Sequence, residues 1–139
     1  MFANRYLKKN NVNALIPQKP SNKLGMIVVI PCFREPEILQ TLHSLNQCQV
    51  PNSNIEVIVL INHSEISTEE TKEFNRQTKA EIDTWIEQNQ NEFLNFFAAG
   101  PAKLKKKWAG AGMARKKGMD EAVRRFNLLQ NPDGIVVSL

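Results

Sequence analysis

The chain has 139 residues, of which 42% are hydrophobic and 23% are charged, and its formal net charge is +4. This length provides for one hydrophobic core, so we expect one domain. The longest apolar run falls far short of the roughly 18–20 residues that span a bilayer, and residues 1–24 lack the apolar segment of a signal peptide. Cys32 and Cys48 are spaced for neither a metal site nor a disulfide framework, which favours reduced thiols in the cytoplasm. The modest positive charge suits an anionic small molecule, a nucleic acid or an acidic membrane surface.

The predicted elements alternate between strand and helix along most of the chain. Residues 1–24 are polar and are predicted to form an irregular arm, with a short helix around Arg5–Lys9. Hydrophobic patterning then predicts strands at Met26–Ile30, Ile55–Ile61, Phe93–Ala98 and Ile135–Leu139, and helices at Pro36–Cys48, Ser67–Asn91 and Ala111–Leu129. We therefore predict an α/β fold over residues 25–139, with a largely parallel sheet flanked by helices on both faces.

The junction between the first strand and the helix after it is the leading candidate for a binding site. The apolar run Met26–Ile30 has no polar break and stops at Pro31, which suits a strand covered on both faces. Glu35 and Pro36 are predicted to start the helix, because proline fits the first helical position and an acid suits the positive end of the dipole. Such a junction forms a crevice at the carboxyl end of the strand, where open α/β sheets bind ligands.

Basic residues of the last predicted helix fall into two groups. Arg115 lies near the middle of an apolar stripe on the helical wheel, since Met119, Ala122, Phe126 and Leu129 fall within about 40° of it. A guanidinium on a buried stripe needs an anion nearby, so we predict either a phosphate-bearing ligand or a structural partner such as Glu35. The other basic side chains are predicted to form a solvated face: Lys116, Lys117, Arg124 and Arg125.

A lysine run before this helix has two interpretations. It comprises Lys103, Lys105, Lys106 and Lys107, followed by Trp108. Nucleic-acid patches combine basic and aromatic side chains, but this run has a single aromatic residue, and 14 acidic residues offset the basic ones. We therefore favour a solvated or phosphate-facing loop. His43 and His63 have no second ligand at metal-binding spacing and are predicted to be structural or exposed.

Four short segments occur in an order that resembles one enzyme family. Val28-Val-Ile-Pro-Cys-Phe-Arg-Glu35 is similar to its opening VVIPxYNE motif, and Glu56–Ser64 is similar to its second strand, which usually ends in Asp-Asp-Gly-Ser. Gly112–Gly118 is similar to its GxxxARNxG segment, and Ile135–Leu139 is similar to the strand that precedes its Asp-x-Asp. Together they resemble the N-terminal portion of the nucleotide-sugar-dependent glycosyltransferases of the GT-A fold, the large inverting second family.

The resemblance implies a site for the donor nucleotide and assigns it six residues. These are Pro31, Cys32, Phe33, Glu35, Asn62 and Arg115. Residues 31–33 would shape the pocket for the base, partly through their backbone, and Glu35 would lie beside the nucleoside, with Arg34 in place of the usual asparagine. Arg115 matches the arginine that approaches the diphosphate. Asn62 matches the second aspartate of the Asp-Asp pair, which holds the pyrimidine, while Ile61 replaces the first, so a base other than uracil stays open.

The family's reaction needs two further parts. A divalent metal, manganese or magnesium, is held by Asp-x-Asp and neutralises the diphosphate leaving group. A later carboxylate acts as the general base on the acceptor hydroxyl, and the sugar is transferred with inversion. The chain ends where Asp-x-Asp would begin, so we expect neither metal ligands nor catalytic residues in it, and no activity from it alone.

Three hypotheses of function follow. In the first, the chain is the donor-binding half of a glycosyltransferase of polysaccharide biosynthesis, in the cytoplasm or at the inner face of the membrane. The parent enzyme would transfer a sugar from a nucleotide-diphosphate sugar, a UDP-sugar foremost, to a saccharide or lipid-linked acceptor, with no nucleic-acid partner. In the second, it is a non-enzymatic module that binds nucleic acid or another polyanion through residues 103–107 and Arg115. In the third, it is a plain α/β fragment whose exposed fourth strand drives self-association.

Overall fold

The computed structural model describes residues 1–48, 53–64, 66–89, 91–104 and 111–139. Within these ranges the elements run in the order α1 (Asn4–Lys9), β1 (Leu24–Cys32), α2 (Ile38–Asn46), β2 (Asn54–Ser64), α3 (Glu69–Gln88), β3 (Leu94–Leu104), α4 (Ala111–Leu128) and β4 (Ile135–Ser138). In these parts of the chain, no helix combines the length and the apolar character that crossing a membrane requires.

The four strands form one sheet in the order β3-β2-β1-β4, and every neighbouring pair is parallel. The predicted α/β fold with a parallel sheet between helices is therefore confirmed. The strand order matches the first four strands of the doubly wound order 3-2-1-4-5-6, so the fold is Rossmann-like. Strands β2 and β3 extend the sheet on one side of β1, and β4 lies on the other side. The carboxyl end of β1 is thus the switch point of the sheet, the place where such folds bind ligands.

Each face of the sheet has its own hydrophobic core. On one face, β1 and β2 pack against α2 and α3 through a cluster that includes Val28, Ile30, Val57, Val59, Leu42 and Ile82. On the other face, the sheet packs against α4 and the N-terminal arm through Ile16, Leu24, Ile27, Val29, Ile58, Ala122 and Phe126. The central strands are covered on both sides, which explains their unbroken apolar sequences.

Two helix starts differ from the predicted ones. Helix α2 begins at Ile38 rather than Pro36, because the Glu35 carboxylate accepts a hydrogen bond from the Glu37 N–H at 3.1 Å and closes a turn before the helix. Helix α3 has Thr68, not Ser67, at its N-cap, since the Thr68 hydroxyl accepts a hydrogen bond from the N–H of Thr71. Both differences shift a predicted start by one or two residues.

Strand β3 continues beyond the predicted end at Ala98. Its pairing with β2 shifts between Leu60↔Ala99 and Asn62↔Ala102, which identifies a bulge. Gly100 has φ 101° at this bulge, a conformation that glycine adopts without a steric penalty, and proline is tolerated at bulges. Residues 100–101, which lie outside the predicted strand, are therefore part of β3, because the strand passes through this irregularity to Leu104.

Candidate functional site: the carboxyl edge of β1 and β2

Two of the residues assigned to the nucleotide site meet where β1 and β2 end. Cys32 pairs with Ile61 across the sheet, and the next residue, Asn62, donates a hydrogen bond from Nδ2 to the Cys32 carbonyl at 3.3 Å. Both side chains are buried, with Asn62 only 1% exposed. The Asn62 Oδ1 atom is also buried and has no hydrogen-bond partner among the described residues. Buried polar atoms are normally paired, so this oxygen needs an explanation.

The residues after Cys32 leave the sheet and reach solvent. Phe33 is 51% exposed and Glu35 is exposed, whereas Pro31 is half-buried within the strand. An exposed phenylalanine directly beyond a strand end provides an aromatic face on which a base can stack. The Glu35 carboxylate bonds the Glu37 amide instead of an arginine, so it is not the structural partner that we considered for Arg115.

The Cys32 side chain has a packing role at this edge. Burial raises the pKa of its thiol to about 11, and the nearby charge of Glu35 acts in the same direction, while a backbone hydrogen bond at Glu35 opposes them. The thiol is therefore neutral near neutral pH and is a poor nucleophile. What Cys32 offers at the site is its backbone carbonyl, which orients the Asn62 amide.

A buried asparagine of α3, Asn75, connects the two strand ends. Its Nδ2 atom donates to the Asn62 carbonyl at 3.0 Å, and its Oδ1 atom accepts from the Arg34 N–H at 3.4 Å. Sequence reasoning missed this residue. The available signal was a polar stripe on the inner face of α3, formed by Thr71, Asn75 and Thr78 in line with the apolar Ile82, all of which are buried.

The Arg34 side chain lies along the first turns of the same helix. Its Nη1 atom donates to the Thr71 hydroxyl at 3.4 Å, and its guanidinium lies 5.5 Å from the centre of the Phe74 ring. A Glu70 carboxylate oxygen is 3.9 Å from Nη2, although this pair is exposed and contributes little. Arg34 is thus attached to α3 through both its backbone and its side chain.

Arg115 lies on the second turn of α4, near the same edge of the sheet. Its neighbour Ala114 is fully buried and packs against Leu60 and Ala99. Arg115 itself is half-buried and Met119 is 39% exposed, so the centre of the buried face runs through Ala114 and Gly118 rather than through Arg115. The prediction that Arg115 lies in the middle of the buried face was therefore wrong. The helix is rotated slightly about its axis relative to the predicted orientation.

The fully buried guanidinium of α4 belongs to Arg125, which we had predicted on the solvated face. Its Nε and Nη2 atoms donate to the two carboxylate oxygens of Glu56 in β2 at 2.6 and 2.7 Å. Its Nη1 atom donates to the Gln18 carbonyl at 2.8 Å. The prediction failed because the carboxylate that makes this burial tolerable comes from a strand 69 residues away in the chain.

The basic run lies only partly within the described residues. Lys103 lies at the end of β3, opposite His63 in β2, whereas Lys105, Lys106, Lys107 and Trp108 lie outside the described residues. Among the residues that the structure describes, no three histidine, cysteine or acidic side chains come together as metal ligands.

Comparison of the chain with protein-family models, with curated proteins and with solved structures gave no match.

Proposed function

We propose that the chain forms the donor-nucleotide site of a glycosyltransferase, and that the complete enzyme transfers a sugar from a nucleotide-diphosphate sugar to a saccharide or lipid-linked acceptor. The observation that supports this most directly is the buried, unpartnered Oδ1 atom of Asn62 at the switch point of a parallel sheet. The exposed Phe33 ring lies on the adjacent strand exit.

The Asn62 amide favours particular bases. One N–H of its Nδ2 atom is engaged by the Cys32 carbonyl, and the unpartnered atom of the group is the Oδ1 acceptor. Uracil and guanine carry a ring N–H that suits this acceptor, whereas the corresponding ring nitrogen of cytosine is itself an acceptor. An unpaired buried acceptor costs about 1–3 kcal/mol, which a ligand N–H would recover. Because Oδ1 is buried, the base reaches it only if neighbouring groups move aside.

Two other side chains fit the remainder of a nucleotide-diphosphate sugar. Phe33 supplies an aromatic face for the base. Arg115, half-buried near the carboxyl edge, supplies a permanently charged guanidinium for the diphosphate. The manganese or magnesium ion, its ligands and the general base of the reaction are expected from other parts of the complete enzyme.

Calorimetric titration tests this proposal. The purified chain is titrated with UDP, CDP, GDP, a UDP-sugar and GDP-mannose, with and without manganese. We expect binding of uridine or guanosine diphosphates, and binding of CDP weaker by about ten-fold, since one unpaired polar group is worth about that factor. Arg115→Ala should weaken binding by at least about ten-fold, because it removes a charge-assisted hydrogen bond. Lys117→Ala, at an exposed position of the same helix, should change it less than about two-fold.

Two results would overturn the proposal. One is the absence of any nucleotide binding by a chain that is shown to be folded. The other is an equal loss of affinity in Arg115→Ala and Lys117→Ala, which would indicate a non-specific attraction to phosphate. Salt-sensitive binding of single-stranded DNA or heparin without nucleotide binding would favour the non-enzymatic alternative.

A further inference from the structure

We infer that Asn75 is a positioning residue that fixes the turn between β1 and α2, and thereby sets how Phe33 and the Asn62 amide are presented to a ligand. Its effect on nucleotide affinity rests on the proposed function. Its effect on the turn is a property of the folded chain and is tested separately.

Both ends of the Asn75 amide form hydrogen bonds. The side chain is fully buried, and it donates to the Asn62 carbonyl while it accepts from the Arg34 N–H. A side-chain amide offers a donor and an acceptor on two separate atoms at neutral pH. Asn75 therefore bridges the end of β2 and the turn that follows β1.

The turn at Arg34 needs such support. Arg34 has φ 46°, a left-handed conformation that is unfavourable for a residue with a side chain. Residues persist in such conformations where the surrounding structure fixes them, and they concentrate at functional sites. Here the support comes from α3, through Asn75 on the backbone and through Thr71 and Phe74 on the guanidinium.

The turn adjoins the candidate site. The Arg34 N–H belongs to the peptide group that follows Phe33, so its hydrogen bond to Asn75 restrains the backbone of Phe33, which carries the exposed ring. Asn75 holds β2 at the Asn62 carbonyl, so the same side chain also constrains the backbone of the residue with the unpartnered oxygen. One buried amide thus fixes the relative placement of the proposed stacking and hydrogen-bonding groups.

Hydrogen exchange of the Arg34 amide tests the positioning role without a ligand. Asn75→Leu removes both hydrogen bonds and keeps the number of heavy atoms and the branching of the side chain, and we expect the Arg34 amide to exchange about ten-fold or more faster. Asn75→Asp keeps an acceptor, so the protection of this amide should be largely retained. Thr78→Val is the matched control, because Thr78 is also buried on the inner face of α3, one turn further along, and it should leave Arg34 exchange unchanged.

Nucleotide affinity is the second measurement. In Asn75→Leu, the dissociation constant of the nucleotide that the unmodified chain binds best should rise by about ten-fold, and in Thr78→Val by less than about two-fold. If the unmodified chain binds no nucleotide, the proposed function fails, and Arg34 exchange alone decides the positioning role. Unchanged Arg34 exchange in folded Asn75→Leu, or an equal change in Thr78→Val, would overturn the inference. If Asn75→Leu does not fold, Asn75→Ser takes its place, since serine is too short to bridge both groups.

Discussion

At the scale of single residues, the buried ion pair between Arg125 and Glu56 makes the fold sensitive to the loss of either partner. Taking both charges out of water costs several kcal/mol for each ion. The bidentate geometry, the bond to the Gln18 carbonyl and the Phe97 ring at 5.2 Å offset this cost. The intact pair therefore adds little net stability, whereas a lone Glu56 carboxylate in the same place would be strongly destabilising.

We predict that Arg125→Ala lowers the free energy of unfolding by about 3–5 kcal/mol, because it leaves the Glu56 charge buried and uncompensated. Arg76→Ala is the matched control, since Arg76 pairs with Glu73 on the surface, and it should cost at most about 1 kcal/mol. The double variant Arg125→Met with Glu56→Leu should be more stable than Arg125→Ala alone. Urea denaturation of the variants measures these differences. An Arg125→Ala loss no larger than that of Arg76→Ala would contradict the prediction.

At the scale of elements, α4 and β1 approach each other closely at Gly118. A Cβ atom on Gly118 would lie 2.3 Å from the Val29 Cγ1 atom, whereas a Cβ on Gly112, in the same helix, would meet nothing within 4 Å. Val29 is fully buried and β-branched, so its side chain has little freedom to move away. The contact between helix and strand therefore depends on the absence of a side chain at position 118.

Gly118→Ala should lower the free energy of unfolding by about 1–3 kcal/mol through overpacking. Gly112→Ala should instead be neutral or raise it by up to about 1 kcal/mol, because alanine favours the helix and the position is open. The double variant Gly118→Ala with Val29→Ala should lose less stability than the sum of the losses in the two single variants. The smaller side chain at position 29 leaves the space that the new Cβ atom at position 118 occupies. Thermal and urea unfolding of these variants test the prediction. A Gly118→Ala variant as stable as Gly112→Ala would show that helix propensity, not the contact with β1, governs position 118.

Element types could be predicted from the sequence, whereas some boundaries could not. The apolar runs of β1 and β2 and the helical spacing in α2 and α4 depend on local periodicity, which the sequence displays directly. The bulge at Gly100 depends on pairing with β2, and the start of α2 depends on a side-chain hydrogen bond of Glu35. These boundaries depend on strand pairing and on a side-chain hydrogen bond, which the periodicity of apolar residues does not reveal.

At the scale of the whole molecule, some residues of the candidate site could be predicted from the sequence and others could not. The family resemblance assigned Cys32 and Asn62 to one site, and they meet because the carboxyl ends of parallel strands lie at one edge. Asn75 was missed because a polar residue in a helix is ordinarily solvated, and its burial follows from where α3 packs on the sheet. Arg125 was misplaced for the equivalent reason, since its partner Glu56 faces it across a tertiary contact.

The N-terminal arm is joined to the folded chain more closely than its polar sequence indicated. The Ala3 N–H donates to the Asn127 Oδ1 atom at 2.9 Å, and the Ile16 N–H donates to the Glu121 carboxylate at 2.8 Å. The Arg124 Nη2 atom donates to the Ile16 carbonyl at 3.1 Å. These bonds run from the arm to α4 along much of the helix, so the arm is part of the layer that covers this face of the sheet.

Ile16→Ala is therefore expected to behave as a core substitution, although Ile16 lies outside the helices and strands. Its side chain is 3% exposed and belongs to the cluster with Ile27, Val29 and Phe126, so we expect a loss of about 2–4 kcal/mol from transfer and cavity terms. Leu15→Ala removes the same kind of side chain from the neighbouring position, which is 38% exposed, and should cost less than about 1 kcal/mol. Urea denaturation measures both values. Similar losses in the two variants would mean that the arm lies on the surface of the core without completing it, whereas the expected difference would make residues 1–24 an integral layer of the fold.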